Sequence, residues 1–347
     1  DEDKLNALLL RLCQMTDERR RQTRDREELR DIRDRARLEK LDRFWDQLLM
    51  SPQEKPKEIF QPDRIGMEYG LRFEYPLFRL LAIETRLTER AGTRFSFEGK
   101  LDELASESFS NKIAYLCCHR GFRFYILLNF QESQMGTMRN SVNGMYYACR
   151  ELHDAFGAFR LTIGMSEVKR SCEMLPTAAD EVNAAIWGRL FFVGDQQIRY
   201  EQLNGMEHMP SSAILSEERA RQLEDAVRYL KKDVLAAVFS EIQRVFEAHP
   251  MIHPRDISHL VDRLIDCVVP NMVEDERERQ RDLLHDAVQA ASTLLLLIQS
   301  LHRDLELYIG EQKQRIERAN RQPVRIALDY IRQHYADAIS LDIVAEV

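Results

Sequence analysis

Residues 112–130 read KIAYLCCHRGFRFYILLNF, and this stretch decides the fold. Two apolar runs rich in β-forming residues, 112–118 and 122–130, are separated by His119, Arg120 and Gly121. Glycine in a short connection between two such runs is typical of the tight turn of a β-hairpin. The stretch therefore predicts two antiparallel strands joined by a basic turn.

The neighbouring segments alternate between strand-like and helix-like patterns on both sides of this hairpin. Strands are predicted at 75–85, 112–118, 122–130, 159–168 and 197–200, and helices at 99–108, 136–156 and 171–192. The order β, α, β, β, α, β, α, β is typical of a ferredoxin-like or nucleotidyl-cyclase type of α/β sandwich. We assign this domain to residues 51–205.

The first 50 residues contain no proline and no glycine, and their apolar residues step at three and four positions, as a helical seam requires. They predict one long helix or two, which form a dimerising coiled-coil stalk; the alternative is a surface helix with a solvated charged face. Pro52 and Pro56 end it. The predicted dimerisation residues are Leu5, Leu8, Leu12, Met15, Leu29, Ile32, Leu41, Trp45 and Leu48.

Beyond Ser216 the apolar residues keep a helical period, and Pro250, Pro254 and Pro270 interrupt it. Residues 206–320 are therefore predicted to form three helices packed as a bundle. The whole chain is expected to be an α+β protein, with an N-terminal long helix, a ferredoxin-like sandwich and a C-terminal helical bundle.

Residues 321–347 predict two short helices, the first with Pro323 at its first position and the second capped by Ser340. The sequence IALDYIRQHY at 326–335, followed by Ile339, Ser340, Leu341 and Ala345, resembles the opening of the AraC-family DNA-binding domain. The resemblance implies a truncated helix-turn-helix scaffold. Its members are Ile331, Tyr335, Ser340, Leu341 and Ala345.

In that family the base-reading helix follows this scaffold, so DNA contact is expected only through residues missing after Val347. The start at Asp1 without a methionine likewise suggests a piece of a longer protein. The order of stalk, α/β domain and helical spacer resembles the YesN-type response regulators. That resemblance implies an upstream receiver domain and a cognate histidine kinase.

The α/β domain carries a second resemblance, to the GGDEF diguanylate cyclases, in residues 161–165 and 178–185 and in Arg189 and Gly194. Cyclase chemistry needs acidic residues at the hairpin and in the first strand to hold metal ions. The hairpin has none, and Glu84 is the only acid in the first strand. We expect a degenerate domain without catalytic residues, metal or cofactor.

The basic turn of His119, Arg120 and Arg123 has two interpretations, an anion or ligand site and an ordinary exposed β-turn. His249 and His253 flank Pro250, which breaks the spacing of a helical metal pair, and they are interpreted as surface residues. The six cysteines lack a C-x-x-C pair and are expected to be reduced thiols.

The net charge of −8 argues against general affinity for nucleic acid phosphates. The longest apolar run, 290–298, is too short to cross a bilayer, so we expect a cytoplasmic protein without membrane contact. The predicted function is non-catalytic signal transmission and homodimerisation in a two-component transcription regulator. The alternatives are a sensor module for a nucleotide or metabolite, and a membrane-linked one-component AraC regulator.

Overall fold

The structure is a computed structural model that describes residues 35–49, 59–87, 91–152, 159–192 and 194–334. Contacts divide the chain into two compact units. The first comprises Asp1–Ala158 and Ile163–Val182, and the second comprises Phe159–Thr162 and Asn183–Val347. The protein is of mixed α and β structure, as expected.

One five-stranded sheet lies in the described residues, with the strand order β2-β3-β1-β4-β5. The strands are β1 (Leu77–Leu87), β2 (Ala114–Arg120), β3 (Arg123–Phe130), β4 (Phe159–Met165) and β5 (Gln196–Arg199). β3 runs antiparallel to both β1 and β2. Nearly all of β3 is buried while β2 is half-buried, because β3 has a strand on each side and β2 lies at the edge.

The hairpin turn lies later in the chain than the sequence predicted. Strand pairing continues through Arg120 and Arg123, so that Gly121 and Phe122 alone form the connection. Gly121 has φ of +59°, a left-handed value that the first position of a two-residue hairpin turn requires. His119 and Arg120 are therefore strand residues, and their side chains are oriented by the sheet.

Five helices accompany the sheet in the described residues. They are α1 (35–49), α2 (Pro62–Tyr69), α3 (Ala91–Phe109), α4 (Met135–Glu151) and α5 (Leu175–Trp187). The chain from 75 to 165 thus gives the order β1, α3, β2, β3, α4, β4, as predicted. α3 begins earlier than expected, while α5 is bounded by two short 3-10 turns, Cys172–Met174 and Gly188–Leu190.

The second unit contains more helices than the three that were predicted. They are α6 (Ser211–Ile214), α7 (Glu217–Arg228), α8 (Lys232–Ala248), α9 (Pro254–Val268), α10 (Arg277–Ala290) and α11 (Leu294–His334). They enclose one continuous apolar core, with Leu223, Ile242, Leu260, Leu264, Leu297 and Leu301 among its buried residues.

The prediction of continuous helix was wrong at two places in this unit, where the structure has a break between helices. Between α7 and α8, Leu230 adopts a φ of +54° and the amide of Lys231 bonds to the Ala226 carbonyl at 2.8 Å, which closes the helix end. Between α10 and α11, the Thr293 hydroxyl accepts a hydrogen bond from the Leu296 amide at 3.2 Å and begins the next helix.

The C-terminal helix also differs from its prediction. α11 runs without a break from Leu294 to His334, so Pro323 lies inside a helix and not at its first position. A proline there removes one backbone hydrogen bond, which a long helix can tolerate. Ile331 lies on α11 and is 39% exposed, whereas Tyr335, Ser340, Leu341 and Ala345 lie outside the described residues.

The division between the units falls after Val182, earlier than the expected boundary near residue 205. The reason is packing: Ala184, Ala185, Ile198, Leu203 and Met206 form one buried cluster, and Trp187 and Leu190 join the core of the helical unit. Among the described residues, no helix combines the length and the apolar composition that a membrane span requires.

Candidate functional site

Helix α1 is anchored in the first unit by an aromatic cluster. Phe44, Trp45 and Leu48 are fully buried. The ring of Phe44 packs edge-on against Tyr69 at 5.5 Å and against Phe60 at 6.1 Å between centroids. Aromatic side chains of this size contribute a large share of burial energy, and edge-on pairs add to it. The end of the predicted stalk is therefore part of the core of the α/β unit.

The same cluster reaches the sheet itself. The ring centroid of Trp45 lies 6.4 Å from that of Tyr125 on β3. The ring centroid of Phe44 lies 6.4 Å from that of Phe73, and Phe73 packs edge-on against Phe78 of β1 with 5.0 Å between centroids. α1 thus contacts two adjacent central strands, either directly or through one ring. A shift of α1 would have to displace these rings, because close-packed interiors do not deform without cost.

A polar contact joins α1 to the hairpin. The Arg120 guanidinium donates from Nε to Asp46 Oδ1 at 3.0 Å and from Nη2 to Asp42 Oδ1 at 2.9 Å. Partial burial alone would lower the pKa of Arg120, but the hydrogen bonds to the two carboxylates outweigh burial and raise it. These carboxylates are largely exposed, so the contact orients α1 more than it stabilises the fold.

The other two basic residues of the hairpin also contact acidic side chains. His119 Nε2 lies 3.2 Å from Asp102 Oδ1 of α3, and its ring stacks on Phe124 at 4.4 Å. Arg123 Nε donates to Glu84 Oε2 of β1 at 2.9 Å, and Glu84 is 1% exposed. Burial would lower the pKa of Arg123, but Tyr125 and Glu84 outweigh it and raise the pKa.

These contacts bear on both groups of predicted site residues. His119, Arg120 and Arg123 each pair with an acid of their own chain, which weighs against an anion site at this turn. Trp45 and Leu48 are buried within their own chain and are not available as dimerisation residues, while Leu41 is half-buried. The remaining predicted dimerisation residues, Leu5, Leu8, Leu12, Met15, Leu29 and Ile32, lie outside the described residues.

A cleft of about 730 Å³ opens beside α2 and the start of β1. Its lining includes Met67, Arg72, Phe73, Tyr75, Arg170 and Ser171. Neither the Arg72 nor the Arg170 guanidinium forms an ion pair or hydrogen bond with another described residue. The cleft therefore combines aromatic walls with two guanidinium groups and the carboxylate of Asp63, a lining whose net positive charge suits a small organic anion.

The Arg170 side of the cleft is fixed by main-chain and side-chain contacts. Phe78 and Lys169 exchange two backbone hydrogen bonds of 2.8 Å, and the buried Lys169 ammonium donates to the buried Glu181 carboxylate. The cleft also shares Phe73 with the aromatic cluster of α1. A ligand in the cleft would contact a ring that packs on α1.

In the second unit, one group of residues has the composition of a metal site. His208 and His253 stack with their ring centroids 4.2 Å apart, and His208 Nδ1 lies 3.0 Å from Asp256 Oδ2. Potential ligand atoms of the three residues all lie within 4.8 Å of one another. The prediction that His253 is an isolated surface residue is wrong, because it is 3% exposed.

The described cysteines are free thiols, and Cys13 lies outside the described residues. Burial raises the pKa of Cys117 to about 11 and that of Cys149 to about 12. At neutral pH both thiols keep their protons, so neither is a ready nucleophile or metal ligand.

Comparison with known proteins adds no family assignment. No protein-family model matches the chain, and no curated protein sequence matches it significantly.

Sequence reasoning missed the anchoring role of α1 and the histidine pair. The sequence did carry a signal for the anchoring of α1, because Phe44 and Trp45 are adjacent, bulky aromatic residues. The contact positions of a two-stranded coiled coil favour Leu, Ile and Val instead. Asp42 and Asp46 lie one helical turn apart and so share a face. The histidine pair carried no signal, because 44 intervening residues separate His208 from His253 in the sequence.

We expect the substitution Trp45→Ala to lower the free energy of unfolding of the first unit by about 3–5 kcal/mol, because it empties a fully buried aromatic site. The matched control is Leu38→Ala on the same helix; Leu38 is 60% exposed, so the loss should stay below about 0.5 kcal/mol. Urea denaturation followed by circular dichroism measures both. Equal effects of the two substitutions would contradict the anchoring of α1.

Proposed function

We propose that this chain is the non-catalytic signal-transmission and dimerisation region of an AraC-type transcription regulator of the YesN-like response-regulator group. The observation that carries the proposal is the anchoring of α1 on the sheet and hairpin through Phe44, Trp45 and Arg120. A helix that leaves a sensory input and ends in the core of the next domain transmits force, whereas a helix on a free linker does not.

The fold supports the finer assignment to a ferredoxin-like, GGDEF-type domain. The strand order β2-β3-β1-β4, together with two helical crossovers, is the arrangement expected of a ferredoxin-like sandwich. β5 extends the sheet next to β4. The proposal places this domain between an upstream receiver, phosphorylated by a cognate histidine kinase, and a downstream helix-turn-helix, in the cytoplasm.

The chemistry of the hairpin supports a non-catalytic role. Metal-dependent nucleotidyl transfer needs carboxylates that are free to bind divalent ions. The hairpin carries His119, Arg120 and Arg123, and Glu84, the acid of β1, is consumed by its ion pair with Arg123. Because Arg123 neutralises the Glu84 carboxylate, this carboxylate is not available to bind a metal ion.

We expect no diguanylate cyclase activity when the protein is incubated with GTP and Mg²⁺ or Mn²⁺, because no carboxylate at the hairpin is available for the metal. Chromatographic analysis of the nucleotides measures turnover. The control is a reaction without protein. Production of a cyclic dinucleotide above that control, lost in Glu84→Gln, would contradict the non-catalytic assignment.

A homodimer is part of the proposal, and the structure changes how it should be tested. Deleting residues 1–50 would also remove Phe44, Trp45 and Leu48 from the core, so a truncation should begin at residue 35. We expect chain 1–347 to be dimeric and chain 35–347 to be monomeric in sedimentation equilibrium at micromolar concentration. The reason is that the proposed apolar seam of Leu5, Leu8 and Leu12 lies before residue 35, so that the shorter chain loses the seam and keeps α1.

A second variant keeps the full length and changes only the seam. Leu8→Asp combined with Leu12→Asp places like charges where the helices are expected to meet, and it should dissociate the dimer while leaving the circular dichroism of the folded units unchanged. A dimer that persists in chain 35–347 or in this double variant would contradict the proposed stalk.

The resemblance implies that DNA is contacted through a helix-turn-helix that is completed after Val347. We therefore expect chain 1–347, with its net charge of −8, to show no sequence-selective binding in gel-shift titrations at physiological salt. The intact gene product should instead enrich discrete genomic fragments in a DNA pull-down. Absence of enrichment by the intact product, or selective binding by chain 1–347, would contradict the assignment.

The cleft supports a second candidate function, direct sensing of a small anionic metabolite or nucleotide. The supporting observation is that Arg72 and Arg170 line the cleft beside Phe73 without an ion pair to another described residue, and that Phe73 also packs on Phe44 of α1. In this version the input reaches α1 from inside the domain. A membrane-linked one-component regulator is a further variant, which differs only in what precedes the stalk.

A further inference from the structure

A histidine and carboxylate cluster lies in the second unit, where the segment after β5 meets the start of α9. Its backbone is fixed by main-chain bonds: Glu207 forms a parallel bridge with Ile252, and the His253 amide donates to the Glu207 carbonyl at 2.7 Å. His208 and His253 are therefore held next to each other by two hydrogen-bonded segments. Their proximity is a property of the fold and not of two flexible loops.

We propose that His208, His253 and Asp256 form a binding site for a divalent transition-metal ion of the zinc and cobalt type. Two imidazoles and one carboxylate are a ligand set that these ions accept, with water in the remaining positions. The site does not depend on the regulatory role proposed above.

The distances allow the site with one side-chain adjustment. With metal–ligand bonds of about 2.1 Å, ligands of a tetrahedral zinc ion lie about 3.4 Å apart. The candidate atoms here lie within 4.8 Å of one another, and His208 Nδ1 is already 3.0 Å from Asp256 Oδ2. The stacked rings cannot both direct their in-plane lone pairs at one ion, so one ring must turn.

His208 is the ring that can turn, since its side chain is 63% exposed, whereas His253 is buried. The contacts that an ion would replace are the hydrogen bond between His208 and Asp256 and the long bond of 3.2 Å from the Arg255 amide to His253 Nδ1. The Met209 amide bond to Asp256 Oδ2, at 3.0 Å, would remain and orient the carboxylate.

Groups of both charge signs surround the cluster. Burial, and then the neighbouring His208, lowers the pKa of His253 to about 4, so the surroundings disfavour a positive charge on its ring. The helix start and the Arg255 side chain oppose a cation. Asp256 counters both from the first turn of α9, and the Tyr200 ring packs edge-on against His253 with 5.8 Å between centroids.

The test is calorimetric titration of the metal-free 347-residue chain with ZnCl₂ and CoCl₂ at neutral pH. We expect one metal ion to bind per chain, and His208→Ala should weaken its binding about tenfold or more. His208→Ala should fold, because the side chain is exposed. The matched control is His259→Ala, an exposed histidine on α9, the helix that carries Asp256; it should leave the affinity unchanged.

Cobalt absorption separates this site from binding by the six cysteines. Imidazole and carboxylate ligands should give d–d bands without an intense thiolate charge-transfer band. Both His208→Ala and Asp256→Asn should weaken these bands at the same cobalt concentration. Bound metal should also raise the unfolding temperature of the native chain and not that of His208→Ala. No measurable binding, an affinity unchanged in His208→Ala, or a thiolate band as the only signal would overturn the proposal.

Discussion

The burial of Phe44, Trp45 and Leu48 is the interaction on which the account of this protein depends. These side chains lie in the last turns of α1. They fill the space between α1, Tyr69 and the ring of Tyr125 on β3. Because a packed core resists deformation, α1 and the sheet must move together or separate at a cost of several side-chain burials. Trp45 Nε1 finds no hydrogen-bond partner among the described residues, so apolar packing has to outweigh that loss.

Ion pairs within the chain also hold the two arginines of the hairpin. Arg120 faces Asp42 and Asp46 of α1, and Arg123 faces Glu84 of β1. These ion pairs hold elements of the protein to one another. The regulatory proposal rests on this arrangement, in which the hairpin forms structural ion pairs and α1 is packed against the sheet.

The parts of the fold that the sequence predicted are those with strong local signals. The apolar run of β3, the glycine of the hairpin and the alternation of strands with helices gave the right order of elements. Leu230 could not be identified as a helix end, because a non-glycine residue in the left-handed region has no sequence signature. The docking of α1 and the stacking of His208 on His253 depend on contacts between distant segments, and periodicity reports only local faces. Trp45 shows the consequence, since the same helical stripe fits a coiled-coil seam and a buried anchor.

Hydrogen–deuterium exchange of the intact chain tests the central claim most directly, because backbone amides of α1 exchange only as fast as the helix opens. If Phe44, Trp45 and Leu48 anchor the helix, the amides of residues 41–48 should be protected to a degree similar to those of β3, and Trp45→Ala should remove protection from α1 before it affects β3. Fast exchange throughout residues 41–48 in the unmodified chain, with β3 still protected, would contradict the account.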